Sequence, residues 1–304
     1  MTVFESIPET FPAEKTAVAL GIFDGLHKGH MAVLKSLIEA SKPDGLTPLV
    51  FTFDTNESRP GAKTPKRLLS DDARNEILLD IGVEYVLSPK FSEFRDMQPH
   101  DFSVFLTRRL NAKAVFCGED FRFGKGAKAG ALDLEAFLEG KSSVHVIKTV
   151  AALDGAVSST RIKQLLESGD IAAANTLLGR PFPIKAPVIR GRGIGLARLL
   201  QTANQPYPQN LVVPRFGVYA SETAVGDKRY ASVTNIGVKP TVGIAPLLAE
   251  THIFDFSADL YGETISVSLL GFIRDEKKFD SLELLKAQME KDSASSRKIY
   301  NNTI

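Results

Sequence analysis

The chain has 304 residues, 43% hydrophobic and 24% charged, which excludes disorder over most of its length and is a prior for two domains. Lysine and arginine number 37 against 36 aspartates and glutamates, so no bulk basic field points to nucleic acid and no acidic tail is present. Cys117 is the single cysteine, which excludes an intrachain disulfide framework and a cysteine-built zinc site.

The N-terminal fifteen residues carry acidic side chains and no apolar core of signal-peptide length. No run approaches the roughly 20 apolar residues of a membrane span. The expectation is a soluble cytoplasmic protein with no membrane or nucleic-acid partner. From residue 15 to 180, short apolar runs alternate with helical spacing. Strands are predicted at 16–23, 47–53, 83–87, 114–118 and 144–149. Met31, Leu34, Leu37 and Ile38 give the first helix one apolar face, and Phe102, Phe105, Leu106 and Leu110 give a later one the same. Ser70-Asp71-Asp72 is a capped, acidic start to a helix running to Leu79. This alternation predicts an α/β domain of Rossmann-like type with a parallel sheet.

Residues 159–179 are predicted to form two short helices, the second capped by Asp170 and stopped by Gly179. Arg180-Pro181-Phe182-Pro183 cannot continue a helix, so the boundary is placed between 182 and 183. Beyond it the rhythm changes to strands at 216–223, 228–234, 251–256 and 264–272, the first two joined by a tight turn. One late helix follows, capped by Asp280 or Ser281 and carrying Leu282, Leu285 and Met289. Several strands closing with one helix predict a small β-barrel.

The most informative segment is Gly21-Ile22-Phe23-Asp24-Gly25-Leu26-His27-Lys28-Gly29-His30, which leaves the first strand and opens the first helix. At that position a parallel sheet offers free N–H groups and positive potential to a phosphate, and glycine lets the backbone approach it. His27 and His30 stand one turn apart as donors for phosphate oxygens in a transition state. A zinc site is the rival for paired histidines, but no third ligand has recognisable spacing. A second helix start, Ser158-Ser159-Thr160-Arg161, places hydroxyls and a guanidinium together and suits either a polyphosphate or an ordinary cap.

The His-x-Gly-His loop resembles the adenylyltransferase signature of nucleotidyltransferases. Its Phe-Asp-Gly-Leu-His-Lys-Gly-His form is similar to that of the bacterial bifunctional riboflavin kinase/FAD synthetases. Gly118-Glu119-Asp120-Phe121-Arg122-Phe123-Gly124 and Ser158-Ser159-Thr160-Arg161-Ile162 resemble two more signatures of that family. In the C-terminal half, Thr202-Ala203-Asn204, Phe216–Ala220, Thr234–Gly237, Lys239-Pro240-Thr241, Glu250-Thr251-His252, Asp259–Gly262 and Phe272–Phe279 resemble its riboflavin kinase module, a Greek-key barrel. The resemblance implies an adenylyltransferase domain over 1–182 and a kinase domain over 183–304.

It implies ATP as co-substrate, Mg²⁺, and riboflavin, FMN and FAD as substrate or product. His27, His30 and Arg161 would stabilise phosphates during adenylyl transfer, with Gly21, Phe23, Asp24, Gly29, Asp120, Ser159 and Thr160 holding nucleotide or flavin. Asp24 would orient the loop or bind nucleotide. Thr202 and Asn204 would hold Mg²⁺, Glu250 would be the general base of the kinase, and Gly193, Gly195, Asn204 and Arg274 would line its ligand site. Two segments depart from the family pattern. Phe53-Asp54-Thr55-Asn56-Glu57-Ser58 lacks the usual turn prolines, and Gly195–Gln201 lacks a glycine and a proline ahead of Thr202. The second departure favours an alternative, an FAD synthetase whose barrel binds flavin without phosphorylating it. A nucleotidyltransferase for another phosphorylated substrate and a flavin sensor are further alternatives.

Overall fold

The computed structural model describes residues 1–53, 66–190, 202–238 and 246–303. Two compact units divide the chain. One holds Met1–Lys66 and Asp71–Ser158, the other Arg67–Ser70 and Ser159–Ile304.

In the first unit the strands are β1 (Thr2–Phe4), β2 (Thr16–Leu20), β3 (Thr47–Phe51), β4 (Tyr85–Leu87), β5 (Ala112–Gly118) and β8 (Ser143–Ile147), with a small pair β6 (Arg122–Phe123) and β7 (Ala129–Gly130). The helices are α1 (Lys28–Ser41), α2 (Asp71–Asp80), α3 (Pro99–Val104) and α4 (Leu134–Leu138). The six-stranded sheet runs β1-β4-β3-β2-β5-β8 and is parallel throughout. Every residue of β2 is buried, as a central parallel strand covered on both faces requires. The chain moves from β2 outward to β3 and later returns to place β5 on the other side of β2. This reversal creates a crevice at the C-terminal ends of β2 and β5.

The helix expected over 102–110 is observed in two parts. α3 widens into a π-helical turn over Phe105–Arg109, where Leu110 N donates to Phe105 O at 3.2 Å. The wider turn keeps Phe102, Phe105, Leu106 and Leu110 buried together. β1 is not foreseen by the sequence pattern, because three residues carry no periodicity.

The second unit begins with α5 (Ser159–Ser168) and α6 (Ile171–Leu178). The Asp170 carboxylate accepts from Ala173 N at the start of α6, and Gly179 ends it with φ 79°. Six strands follow: β9 (Phe182–Pro187), β10 (Ala203–Pro206), β11 (Gly217–Val225), β12 (Lys228–Val238), β13 (Leu247–Ile253) and β14 (Thr264–Arg274). They form an antiparallel sheet in the order β10-β13-β12-β11-β14-β9. Its two ends meet where Ile189 N donates to Asn204 O at 2.8 Å, so the sheet is a nearly closed barrel. Gln205 fastens the same seam. Its amide nitrogen donates to Ala186 O of β9 and Ile265 O of β14 at 2.8 and 3.0 Å.

The barrel interior carries a chain of hydroxyls. Thr251, Thr234, Ser221, Ser232 and Thr223 are fully buried and bonded in sequence at 2.8–2.9 Å. Each satisfies its neighbour, which removes the cost of burying it. β9 and β10 are not foreseen, because Pro181 and Pro183 look like a linker. Pro183 is instead the second residue of β9, a strand paired along its length only with β14, where a missing N–H is tolerated.

The compact units divide after Ser158, whereas the sequence places its boundary between 182 and 183. The physical reason is the packing of α6: Asn175 Nδ2 donates to Leu269 O at 2.8 Å, and its Oδ1 accepts from Phe182 N at 2.9 Å.

The last helix, α7 (Leu282–Thr303), packs against β11, β12 and β14. Arg274 at the end of β14 grips Asp292 through three contacts of 2.7–3.0 Å, and Gln288 donates to the same carboxylate at 2.9 Å. The Asp292 side chain is only 5% exposed. Truncating it strands the Arg274 guanidinium. D292A is therefore expected to lower barrel stability by about 3 kcal/mol, read as a shift in the urea unfolding midpoint.

Candidate active sites

The loop after β2 is held by the end of its neighbour β3. Gly21 N donates to Phe51 O at 3.2 Å, and Thr52 Oγ1 donates to Ile22 O at 2.7 Å. Three residues of the loop, Phe23, Gly25 and Leu26, take left-handed φ values of 52°, 83° and 43°. Non-glycine residues reach that region at a cost, and burial of Phe23 and Leu26 over-determines the conformation. The chain then enters α1 through His27, whose Nδ1 accepts from His30 N at 3.3 Å. An imidazole accepting through Nδ1 carries its proton on Nε2, so the capping bond fixes the tautomer and leaves Nε2–H as a donor.

The two imidazoles stack at 3.7 Å with 16° between planes, and Phe23 sets its ring edge-on to His30 at 5.3 Å. Phe23 is 1% exposed, so its part is to back His30 rather than to meet a ligand with its own ring. Gly21 and Gly29 make room for these rings. A Cβ on Gly21 would stand 3.1 Å from the Phe23 ring, and one on Gly29 would stand 3.2 Å from the His27 ring. Asp24 is half-buried in the same loop.

The segment after β5 forms the opposite side of the crevice. Glu119 ties it to β8: its N–H donates to Ile147 O at 3.2 Å and its carboxylate accepts from Thr149 N at 2.8 Å. That bond holds the exposed Glu119 carboxyl below its ordinary range. Asp120 is exposed, with an oxygen 2.8 Å from where a Gly118 Cβ would be. Cys117 lies beneath. Burial, reinforced by the Asp120 charge, pushes its thiol up to about 12.

Beyond this turn opens a cavity of about 690 Å³, within the range of small-molecule sites. Phe53, Phe91, Phe94, Phe102, Phe121 and Phe123 line it, and Arg95, Asp96, Arg122 and Lys125 supply charge around it. Phe121 and Phe123 belong to the motif after β5. Phe53, Phe91 and Phe94 are missed by sequence reasoning, because an aromatic in a loop looks the same whether it fills a core or walls a cavity.

Ser159, Thr160 and Arg161 stand at the N-terminus of α5 in the second unit. On the barrel, β10, β13 and β12 align Asn204 opposite Glu250 and Glu250 opposite Asn235. Directly opposed residues share a face with Cβ atoms roughly 5 Å apart, so two amides flank the carboxylate. Asn204 is 4% exposed, and its Nδ2 donates to the Thr202 carbonyl at 3.1 Å, which turns its amide oxygen the opposite way. The row continues through Val218 to Arg274, whose guanidinium is engaged by Asp292.

Among the described residues no cluster of three or more histidine, cysteine, aspartate or glutamate ligands exists. A hard cation held by one or two protein oxygens and by substrate phosphates is the arrangement Mg²⁺ prefers, and Thr202 and Asn204 offer such oxygens. Gly193 and Gly195, both departing segments at 54–58 and 196–201, and Lys239-Pro240-Thr241 lie outside the described residues.

A family model for FAD synthetase matches residues 10–161, and one for riboflavin kinase matches residues 178–300. A bifunctional riboflavin kinase/FMN adenylyltransferase from Escherichia coli K12 is 35% identical over 298 residues, 96% of this chain and 95% of the relative. The chain belongs to the bifunctional riboflavin kinase/FMN adenylyltransferase family. The Bacillus subtilis member is 34% identical over 297 residues, covering 95% of this chain and 93% of its own length.

A solved chain described as a macrolide-efflux protein from Streptococcus pneumoniae shares the fold. It has a TM-score of 0.87 and 29% identity, covering 97% of this chain and 98% of that one. No described helix of this family member is long and apolar enough to cross a membrane. The family's His-x-Gly-His motif is the stacked pair at α1, and the family's kinase motif Thr-Ala-Asn lies beside Glu250.

Two outcomes are expected here. G29A adds a favourable helix residue but crowds the His27 ring, so adenylyl transfer to FMN is expected to fall at least tenfold with no loss of melting temperature. Cys117 is expected to stay unmodified by a thiol reagent at pH 8 until the chain is unfolded, as followed by mass spectrometry.

Proposed function

We propose that this chain makes FAD from riboflavin in two ATP-dependent steps, and that the two steps use separate sites. The observation that carries the reading is the presence in one chain of the stacked His27–His30 pair at α1 and the Asn204–Glu250 row on the barrel. In the first step the ribityl 5′-hydroxyl attacks the γ-phosphorus of ATP, and ADP leaves. Glu250 accepts the hydroxyl proton. Thr202 and Asn204 would hold Mg²⁺, which neutralises phosphate charge in such a transfer. Arg274 braces the end of β14 through Asp292, so its contribution is to hold the frame of the row.

In the second step an FMN phosphate oxygen attacks the α-phosphorus of ATP in line, and pyrophosphate leaves. No side-chain nucleophile is needed. His27 donates through Nε2–H to phosphate oxygens, and His30 and Arg161 act on the same charge as it develops. The free N–H groups of α1 add to that field. The phenylalanine-lined cavity accepts the isoalloxazine ring, which is large, flat and apolar on its faces. Asp120 at the turn after β5, with Ser159 and Thr160 at α5, completes the nucleotide contacts. Functionally the adenylyltransferase part runs to 182 and the kinase part from 183. The protein works in the cytoplasm, on small flavins and ATP, with neither nucleic acid nor membrane as partner.

The retained Glu250–Asn204 pairing favours an active kinase over a barrel that only binds flavin. The test is chromatographic. Purified protein is given ATP and Mg²⁺ with riboflavin in one mixture and FMN in another. FAD is expected from both; FAD from the FMN mixture alone would establish the monofunctional alternative. H30A is expected to reduce FAD formation from FMN at least 100-fold while leaving riboflavin phosphorylation within twofold. E250A is expected to do the reverse, lowering FMN production about 100-fold or more.

A further inference from the structure

We propose that Arg95, Asp96 and Lys125 read the pyrimidine edge of the isoalloxazine ring and so set which flavins the adenylyltransferase unit accepts. The inference rests on the reading that the phenylalanine-lined cavity of the first unit takes that ring. The faces of a tricyclic flavin are apolar and suit the phenylalanines around the cavity. One edge is polar. It carries a carbonyl, an N3–H and a second carbonyl in a row, an acceptor–donor–acceptor set that an apolar wall would leave unsatisfied. Three charged side chains that line the same cavity supply the complementary order.

Asp96 stands between two cations. Its Oδ1 lies 3.1 Å from Lys125 Nζ, and its Oδ2 accepts from Arg95 Nε at 3.2 Å. Lys125 first, and Arg95 second, hold the carboxyl below its ordinary range, so it is ionised and only accepts. Each contact uses one N–H of its cation. The ammonium keeps two more, and the guanidinium keeps those on Nη1 and Nη2. The carboxylate has lone pairs for a third partner. The set therefore presents donor, acceptor and donor side by side. Asp96 matches the flavin N3–H, and Lys125 and Arg95 match the carbonyls on either side of it.

Backbone contacts hold the set in place. Lys125 N donates to Met97 O at 2.7 Å, which ties the turn between β6 and β7 to the segment that carries Arg95 and Asp96. Gly124, with φ 77°, packs so closely on Pro99 that a Cβ would stand 2.5 Å from the proline Cγ. Arg122 Nε donates to Ala127 O at 3.2 Å across the same turn. Two walls of the cavity thus meet where the three charges meet. The charged side chains are more than half exposed, so their ion pairs add little to folding and their outer N–H groups face solvent or ligand.

The experiment uses the full chain with saturating ATP and Mg²⁺. It reads the flavin KM of adenylyl transfer for FMN and for N3-methyl-FMN, which lacks the donor. The unaltered chain is expected to show a KM about tenfold higher for the methylated flavin. D96A is expected to raise the KM for FMN about tenfold and to bring the two flavins within twofold of each other. D96N keeps an acceptor oxygen and is expected to recover part of the loss. The KM for ATP, riboflavin phosphorylation and melting temperature are expected to stay close to those of the unaltered chain. Equal use of both flavins by the unaltered chain, or a methyl penalty undiminished in D96A, overturns the proposal. F91A tests the underlying reading separately, since Phe91 lines the cavity and is 42% exposed, so its truncation spares the core. A raised flavin KM in F91A without a methyl penalty in the unaltered chain overturns the edge assignment and leaves the ring in the cavity. An unchanged flavin KM in F91A and D96A alike removes the cavity reading and the proposal with it. Parallel loss of both activities and of melting temperature in D96A overturns the proposal in favour of a purely structural role.

Discussion

Helix α1 begins on an imidazole. A capping position normally holds a short hydroxyl or carboxylate that satisfies an orphan N–H. Here His27 Nδ1 accepts from His30 N, and that bond leaves Nε2–H as a donor at a helix start. Structure and chemistry therefore compete for one ring, and the rest of the loop is arranged around it. Gly29 leaves space for the ring, His30 stacks on it, and Phe23 backs His30 from the core. The strained φ values at Phe23 and Leu26 persist because both side chains are locked into the core.

The same economy holds at the barrel. β10, β13 and β12 are neighbours in the barrel sheet, and their pairing aligns Asn204, Glu250 and Asn235 beside the seam that Asn204 makes with Ile189. The interior behind them is polar, its hydroxyl chain from Thr251 to Thr223 bonded link by link and the Gln205 amide nitrogen donating across the seam. The Asn204–Glu250–Asn235 row is thus backed by a bonded polar layer. α7 is fastened over other strands by Arg274–Asp292 and by Arg297–Asp255, with Arg297 lying 4.3 Å above Phe254.

The FAD synthetase model ends at residue 161, within the first turn of helix α5, and α6 lies beyond it. Their packing belongs with the barrel, through Asn175 and Arg215. A domain boundary drawn at Pro181–Pro183 and one drawn by packing after Ser158 answer different questions, the first about where helical sequence stops and the second about which residues pack together.

Sequence alone determined whatever depends on local order: the alternation of β2 to β8 with helices, the caps at Asp170 and Gly179, and the strand-to-helix loop over residues 21–30. These follow from periodicity and backbone chemistry over a few neighbours. The family motifs likewise named His27, His30, Asn204 and Glu250, each a short signature. Tertiary structure decided what depends on contacts between distant segments. It set Glu250 opposite both Asn204 and Asn235, gathered Phe53, Phe91 and Phe94 with Phe121 and Phe123 around one cavity, and engaged Arg274 with Asp292. It also built β9 from a proline-rich stretch, because an edge needs fewer N–H donors than a central strand. No local pattern encodes which strand becomes the neighbour of which; that is set by closure of the barrel and by the reversal of strand order in the sheet.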